Sequence, residues 1–308
     1  MNNTGFFVIL IAGPTAVGKT NIAIAIAQKL NAEIINADSR QLYKEISIGT
    51  AKPTEKQLAA VPHYFVNTHS VAETFTAGDF EKQALAIIDQ QKLAGKKAIV
   101  VAGGTGMYIN ALLNGLDDLP DGDETIRAEL QQNFLHFGVA FLQNKLKELD
   151  EVAYQKIANT NPQRMMRAIE VCLVSGQKYS DFLNKEKSKR PFTAIKIALN
   201  LEREILYAQI NNRVDEMVES GLENEVRTMQ QFKNCYALKT VGYTEMFDYI
   251  DSLTTKEKAI ELIKQHTRNY AKRQITWFKK DVQYKWFSPL NVSEIENYVS
   301  AEIAKNKI

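Results

Sequence analysis

The sequence predicts an α/β protein, a parallel β-sheet flanked by helices and interrupted by an all-helical insertion. Three observations predict it. An apolar run, residues 6–12, leads through a glycine-rich turn into an Ala- and Ile-rich helical stretch. Short apolar runs then alternate with helical spacing as far as Leu112, the pattern of a parallel sheet with right-handed crossovers. From residue 124 to about residue 183 the pattern turns wholly helical before strand character returns.

Residues 6–12 read as a central strand, because a strand covered on both faces is continuously apolar. Residues 20–30 form the first helix, and 33–37 a second short strand ending at Asp38-Ser39. Residues 80–94 have helical spacing and stop at Gly95, a suitable C′ glycine. Residues 98–102 are a third strand, running into Gly103-Gly104-Thr105-Gly106 and a helix that carries Met107, Tyr108, Ile109 and Leu112. An acidic linker with Pro120 and Gly122 opens the insertion, and Asn159-Thr160-Asn161-Pro162 breaks its helices. A polar tract, 185–191, closes it. Strand 195–201, helices 204–220, 222–232 and 256–280, and an edge strand 284–287 follow. The expected domains are a first part of the core at 1–117, the helical insertion at 118–190, and a second part at 191–308 with a basic C-terminal helix.

The 308 residues are 45% apolar and 24% charged, an ordinary globular balance. Cys172 and Cys235 stand far apart, which argues against a disulfide framework or thiolate metal site. His63, His69, His136 and His266 lack metal-ligand spacing. No segment has the length of a membrane helix and the N-terminus lacks a basic leader, so no membrane partner and a cytoplasmic location are expected. Net charge is only +2, but residues 254–281 carry eight Lys/Arg against three acids. A local basic stripe on a near-neutral chain suits a polyanion at one face, or a merely solvated helix. Lys264, Arg268 and Lys272 recur every four residues there, and Ile263, Tyr270 and Trp277 every seven. The helix can therefore pack on the core and present charge.

Gly13-Pro14-Thr15-Ala16-Val17-Gly18-Lys19-Thr20 fits GxxxxGK[ST] between a strand and a helix, the context this motif requires. Its glycines let backbone N–H groups curl towards phosphate oxygens, and the helix start adds its positive dipole end. Lys19 supplies a point charge, and the Thr20 hydroxyl is suited to ligate magnesium. This P-loop makes the fold P-loop NTPase-like. It specifies a diphosphate or triphosphate, not a reaction. The third strand ends in Gly103-Gly104-Thr105 with no acid to position magnesium for ordinary nucleotide hydrolysis.

Further segments follow in order: Asn36-Ala37-Asp38-Ser39-Arg40-Gln41-Leu42-Tyr43, Ile48-Gly49-Thr50-Ala51-Lys52-Pro53, Gly103-Gly104-Thr105-Gly106-Met107-Tyr108, Asn161-Pro162-Gln163-Arg164-Met165-Met166-Arg167-Ala168-Ile169-Glu170, Val241-Gly242-Tyr243 and Ala271-Lys272-Arg273-Gln274-Ile275-Thr276-Trp277. Over nearly the whole chain this ordered set resembles the tRNA dimethylallyltransferases, also called tRNA isopentenyltransferases. The resemblance implies transfer of a dimethylallyl group from dimethylallyl diphosphate to the exocyclic amine of the adenosine just 3′ of the anticodon, in tRNAs reading codons that start with U. It implies that the insertion binds the anticodon stem-loop. Thr244 and Lys239 flank Val241-Gly242-Tyr243 where the family sometimes has an arginine, which leaves RNA contacts there open.

The chemistry needs a leaving group weakened and an amine relieved of a proton. Residues 13–20 and magnesium suit the first task. Asp38 is the candidate base, with a capping role as its bland alternative. Thr105, at a strand end, matches a family threonine near the reacting base, with an N-cap as its alternative. Arg213 resembles a family arginine near the diphosphate. Ser39, Arg40, Gln41, Arg127, Gln163, Arg164, Met165, Met166 and Arg167 match tRNA-contacting positions, and for each arginine a surface ion pair is the plain alternative. A monomer is expected. An adenylate isopentenyltransferase acting on free nucleotide and a P-loop small-molecule kinase are the competing enzymes. A non-catalytic RNA-binding protein would leave the P-loop and Asp38 without purpose.

Overall fold

A computed structural model describes residues 5–157, 161–183 and 189–306. The core begins with β1 (Phe7–Ala12), α1 (Lys19–Leu30), β2 (Ile34–Asn36), α2 (Glu55–Ala60), β3 (His63–Tyr64), α3 (Ala77–Leu93), β4 (Ala98–Gly103) and α4 (Gly106–Asn114). The helical segment holds α5 (Glu124–Phe137), α6 (Val139–Leu149), α7 (Glu151–Lys156), α8 (Pro162–Ser175) and α9 (Tyr179–Phe182). The core resumes with β5 (Thr193–Leu199), α10 (Arg203–Glu219), α11 (Leu222–Thr228), α12 (Tyr243–Ile250), α13 (Lys256–Phe278), β6 (Lys285–Phe287) and α14 (Val292–Lys305).

One six-stranded sheet has the order β3-β2-β4-β1-β5-β6. Every pairing is parallel, and β1 lies between β4 (Phe7 opposite Ala98) and β5 (Phe7 opposite Thr193). All residues of β1 and β4 are buried, which is why both read as unbroken apolar runs. Alternation sends Val8 and Leu10 into a core with Phe80, Tyr108, Met246 and Ile263. It sends Phe7, Ile9 and Ile11 into a second core with Ile22, Ile26, Ile210 and Ile295. Helices therefore cover both faces, as the α/β reading requires. The carboxyl ends of β1, β2 and β4 release the P-loop, the Asp38 turn and the Thr105 turn on the same edge, where open parallel sheets place ligands.

The predicted strands all form, with ends shifted by a residue or more. Helix 80–94 starts earlier, at Ala77, because Thr76 and Asp79 make a capping box. The stretch 222–232 is α11 followed by a short 3₁₀ turn at Gln230–Phe232. Elements α2, β3, α12 and α14 were not expected.

The chain divides into two compact units, one of them Gly115–Ser188. That helical unit has its own core of Leu130, Leu142, Leu146, Met165 and Ile169. Gly138, at φ 72°, separates α5 from α6. Asp150 caps α7, accepting from Ala153 N at 2.9 Å. Of the predicted break, Asn159 and Thr160 lie outside the described residues, and Asn161 caps α8 by accepting from Arg164 N at 3.1 Å, with Pro162 in the first turn. Most of the polar tract 185–191 also lies outside the described residues.

Candidate active site

The cradle starts where β1 ends. Gly13 has φ 144°, and a Cβ there would sit 2.7 Å from Leu199 O. Only glycine allows the turn to leave against β5. Ala16 follows in the left-handed region at φ 65°, a conformation that costs an alanine about 1 kcal/mol. Gly18, at φ 93°, then starts α1, so the first N–H groups of the helix face the loop. Lys19 Nζ donates to Gly13 O at 3.1 Å and Pro14 O at 2.7 Å. Burial lowers its pKa to about 8, opposed by the Asp38 carboxylate and aided by the Arg213 guanidinium.

The loop opens into a cavity of about 520 Å³ lined by Lys19, Thr20, Asp38, Lys52, Arg213 and Glu216, among others. That volume is ordinary for a small-molecule site. Arg213, on α10, is half-buried, and burial lowers its pKa against the pull of Glu216 and Asp38. Cations for a phosphate group and a carboxylate for a proton thus share one cavity.

Asp38 Oδ1 accepts Arg40 N at 2.9 Å and Gln41 N at 3.3 Å. The capping seen in the sequence is real, but it closes a turn and no helix follows. Thr105 lies across this turn. Its N–H donates to Ala37 O at 3.1 Å and its Oγ1 accepts Ser39 N at 3.0 Å. The hydroxyl is therefore committed to the Asp38 turn and not to capping α4. A Cβ on Gly103 would lie 2.2 Å from Ala37 O, and one on Gly104 would lie 2.1 Å from Gln274 Nε2. The two glycines let β2 and α13 close directly onto the strand end.

Other expected contact residues are placed differently. Arg40 donates to Ser39 O at 3.1 Å and its guanidinium lies 4.9 Å from the centre of the exposed Tyr236 ring. Gln41 faces inward: its amide donates to Thr50 O at 3.0 Å and Ala51 O at 3.1 Å and accepts from Asn36 Nδ2 at 3.1 Å. It braces the cavity wall from inside and is itself one of the lining residues. Met165 and Met166 are buried in the helical unit's core, so neither side chain is open to RNA. Arg127 and Arg167 converge on Glu170, at 2.9 Å and 2.8 Å, and Glu170 is only 2% exposed. Arg167 also donates to Pro120 O at 2.7 Å. The ion-pair reading holds for both, and the acid is buried. Gln163 and Arg164 are exposed. On α13, Lys264 pairs with Asp215 at 2.6 Å and Arg268 donates to Asn211 at 2.7 Å, so two of the three stripe cations are spent on α10. Trp277 is 37% exposed and lies against Gly106.

Three residues of this site carried no expectation. Glu225 accepts the amides of Ser47 at 2.7 Å, Ile48 at 2.8 Å and Gly49 at 3.0 Å, plus the Tyr243 hydroxyl at 2.6 Å. It folds the cavity wall around itself. Lys52 donates to Asn67 Oδ1 at 2.6 Å, and burial lowers its pKa to about 8. Gln274 joins the P-loop to the Thr105 turn. The 47–53 and 271–277 segments stood in the ordered set of motifs, but no spacing signals which residue reaches across the fold.

Among the described residues no cluster of three or more His, Cys, Asp or Glu could hold a metal, and no helix is long and apolar enough to cross a membrane. Beside the P-loop lysine the cavity instead offers the Thr20 hydroxyl, and its lining carries two carboxylates, Asp38 and Glu216. That sparse oxygen set fits magnesium, which keeps several waters and binds through one or two protein groups plus phosphate oxygens.

Residues 41–281 match the family model described as IPP transferase. The tRNA dimethylallyltransferase of Cytophaga hutchinsonii is 45% identical, with 96% of this chain and 97% of that protein covered. The chain belongs to the tRNA dimethylallyltransferase family. The enzyme of the same name from Flavobacterium johnsoniae is also 45% identical, over 95% of this chain and 97% of that protein. The crystal structure of the full-length tRNA isopentenylpyrophosphate transferase of Bacillus halodurans superposes with a TM-score of 0.72 at 34% identity, covering 97% of both chains. A eukaryotic dimethylallyltransferase acting on tRNA superposes at 0.80 with 29% identity, covering 98% of this chain and 80% of that one. The family model begins at Gln41, after the P-loop and Asp38, whereas the dimethylallyltransferase relatives extend across nearly the whole chain.

Proposed function

We propose that the protein transfers a dimethylallyl group from dimethylallyl diphosphate to the exocyclic amine of the adenosine immediately 3′ of the anticodon, in tRNAs reading codons that start with U. The products are isopentenyladenosine and diphosphate. One observation carries the reading: Lys19, Arg213 and Asp38 line a single cavity at the carboxyl edge of the sheet.

The P-loop N–H groups, Lys19 and Arg213 hold the diphosphate. The allylic carbon–oxygen bond breaks with its electron pair passing to diphosphate, and these groups stabilise the charge that grows there. The adenine amine is a poor nucleophile because its lone pair is delocalised into the ring. Its nitrogen forms the new bond to carbon, and Asp38 accepts a hydrogen bond from the amine and then its proton. The turn held by Thr105 keeps that carboxylate in place. Thr20 would hold magnesium, which would supply further charge neutralisation when bound.

A stacked base cannot reach a cleft of this kind, so the target adenine is extruded from the anticodon loop. Residues 118–190 hold the stem-loop, with Gln163 and Arg164 facing RNA and Ser39 and Arg40 near the base. The protein acts as a cytoplasmic monomer. A free-nucleotide prenyltransferase would need no such helical unit, and a small-molecule kinase is not supported by the family.

The test is incubation with dimethylallyl diphosphate, magnesium and unmodified tRNA, followed by nucleoside mass spectrometry. Prenylated adenosine at the position 3′ of the anticodon is expected. Phosphorylated product formed from ATP, or prenylation of AMP in preference to tRNA, would overturn the reading.

A further inference from the structure

Gln274 is a buried polar side chain on α13, only 5% exposed, and its amide is used at both ends. Oε1 accepts the P-loop amide of Thr15 at 2.8 Å. Nε2 donates to Gly104 O at 2.9 Å. Thr15 and Gly104 are both loop residues that follow a strand, one after β1 and the other after β4. Without Gln274, neither backbone group would meet that partner, and the buried Gly104 carbonyl left unpaired is costly.

The links continue beyond the amide. Gly104 precedes Thr105, whose N–H holds Ala37 O at 3.1 Å and whose Oγ1 holds Ser39 N at 3.0 Å. Asp38 lies between those two residues. A continuous chain of bonds therefore runs from the phosphate cradle through Gln274 and Thr105 to the carboxylate. Missing space at Gly104 enforces it, because a side chain there would displace the amide. Tyr270, one turn earlier on α13, is half-buried, and its hydroxyl interacts with Thr105.

We infer that Gln274 is a positioning residue, which fixes the distance between the diphosphate cradle and the Asp38 carboxylate by bonding to both loops at once. This rests on the proposed prenyl transfer. That reaction needs donor carbon and acceptor nitrogen aligned on one axis, and the donor is held by one loop while the acceptor is aimed by the other. A misplacement of about 1 Å costs on the order of 100-fold in rate. Gln274 also borders the cavity, but both ends of its amide are taken up by the two loops.

The amide's particular property is to accept at one end and donate at the other. A carboxylate only accepts, whereas a protonated carboxyl group does both. Gln274→Glu should therefore be crippled when ionised and recover when protonated. Burial against Gly104 O favours protonation. Gln274→Met keeps the volume and loses both bonds at every pH.

The experiment measures single-turnover prenyl transfer to a tRNA anticodon stem-loop at saturating dimethylallyl diphosphate, from about pH 8 down to about pH 6. Each variant rate is divided by the wild-type rate at the same pH, so that titration of Asp38, Lys19, Arg213 and Tyr270, which face the same region, is common to both. Gln274→Met is expected to fall about 100-fold at all pH values. The Gln274→Glu ratio is expected to rise steadily as pH falls. Circular dichroism checks folding, and the pH trend of Gln274→Glu decides the matter if Gln274→Met does not fold. A flat Gln274→Glu ratio, or Gln274→Met within about threefold of wild type, overturns the inference. Wild-type protein that transfers no prenyl group overturns the underlying function instead.

Discussion

The hydroxyl of Thr105 accepts the backbone N–H of Ser39 at 3.0 Å. With the Thr105 N–H on Ala37 O at 3.1 Å, one residue grips the chain on both sides of Asp38. Thr105→Val keeps the shape and removes the acceptor, leaving a part-buried N–H unpaired. The expected cost is about 1–2 kcal/mol of stability, read by thermal melting, with a fall in single-turnover rate that Thr105→Ser does not show.

Asp38 has two separable jobs. Asp38→Asn retains an oxygen for the Arg40 and Gln41 amides, now at 2.9 Å and 3.3 Å, but cannot take a proton. Its melting temperature should stay close to wild type. Single-turnover prenyl transfer should fall by about 10²–10⁴-fold. Near-normal transfer would remove Asp38 from the chemistry.

Lys19 gives the free protein a pH signature, because burial lowers its pKa from 10.5 to about 8. Below that value the ammonium is charged and diphosphate binds at full strength. Above it the free lysine is neutral, and affinity for inorganic diphosphate should weaken by at most about tenfold per pH unit. The stability effect has the opposite sense. Between the folded pKa and the ordinary value the unfolded chain holds the extra proton, so this lysine's contribution to stability rises with pH across that window. Calorimetric titration in two buffers of different ionisation enthalpy should show proton uptake on binding above the folded pKa and little well below it.

Glu225 organises the 47–49 segment with three backbone amides and the fully buried Tyr243 hydroxyl. Burial, with Glu225 next, pushes the Tyr243 hydroxyl's pKa well above its usual value, so the carboxylate keeps a neutral donor. Glu225→Ala should cost about 3 kcal/mol, since the buried Tyr243 side chain and the part-buried amides of Ile48 and Gly49 lose a charged acceptor. Because Ser47 and Ile48 line the cavity, the KM for dimethylallyl diphosphate should rise more than kcat falls.

In the helical unit, Glu170 takes Arg127 at 2.9 Å, Arg167 at 2.8 Å and the Asp123 amide at 3.0 Å. Removing this buried acid strands two arginines, and Glu170→Ala should destabilise that unit by about 3 kcal/mol. Affinity for the anticodon stem-loop should drop, measured by fluorescence anisotropy, while binding of inorganic diphosphate stays unchanged.

Much of this was legible along the chain, for reasons that differ by element. The strand β1 was plain because both its faces are covered and a glycine-rich loop punctuates its end. The edge strand β3 is two residues, His63–Tyr64, with no apolar run to announce it. Helix α12 is likewise short, and its Gly242 N-cap, at φ 97°, reads as a turn. The buried faces of Met165 and Met166 were in principle readable, since they align with Ile169 at helical spacing. Their membership of a contact motif obscured that periodicity. The i, i+3 pairing of Arg167 with Glu170 was also within reach of spacing, but its convergence with Arg127 was not, because 43 residues separate the partners. The same limit hid Gln274, which bonds to Thr15 across 259 residues. Local pattern specifies elements and loops, and only the packed fold decides which loops share a side chain.

The central claim is that the P-loop grips a departing diphosphate while Asp38 prepares an RNA amine. The most direct measurement follows diphosphate release and adenosine prenylation together in one reaction, with magnesium and unmodified tRNA, with and without ATP. The account expects one diphosphate released for each prenylated adenosine, no requirement for ATP and no ATP consumed. Diphosphate release without prenylation of tRNA, or ATP consumption that scales with product, would contradict it.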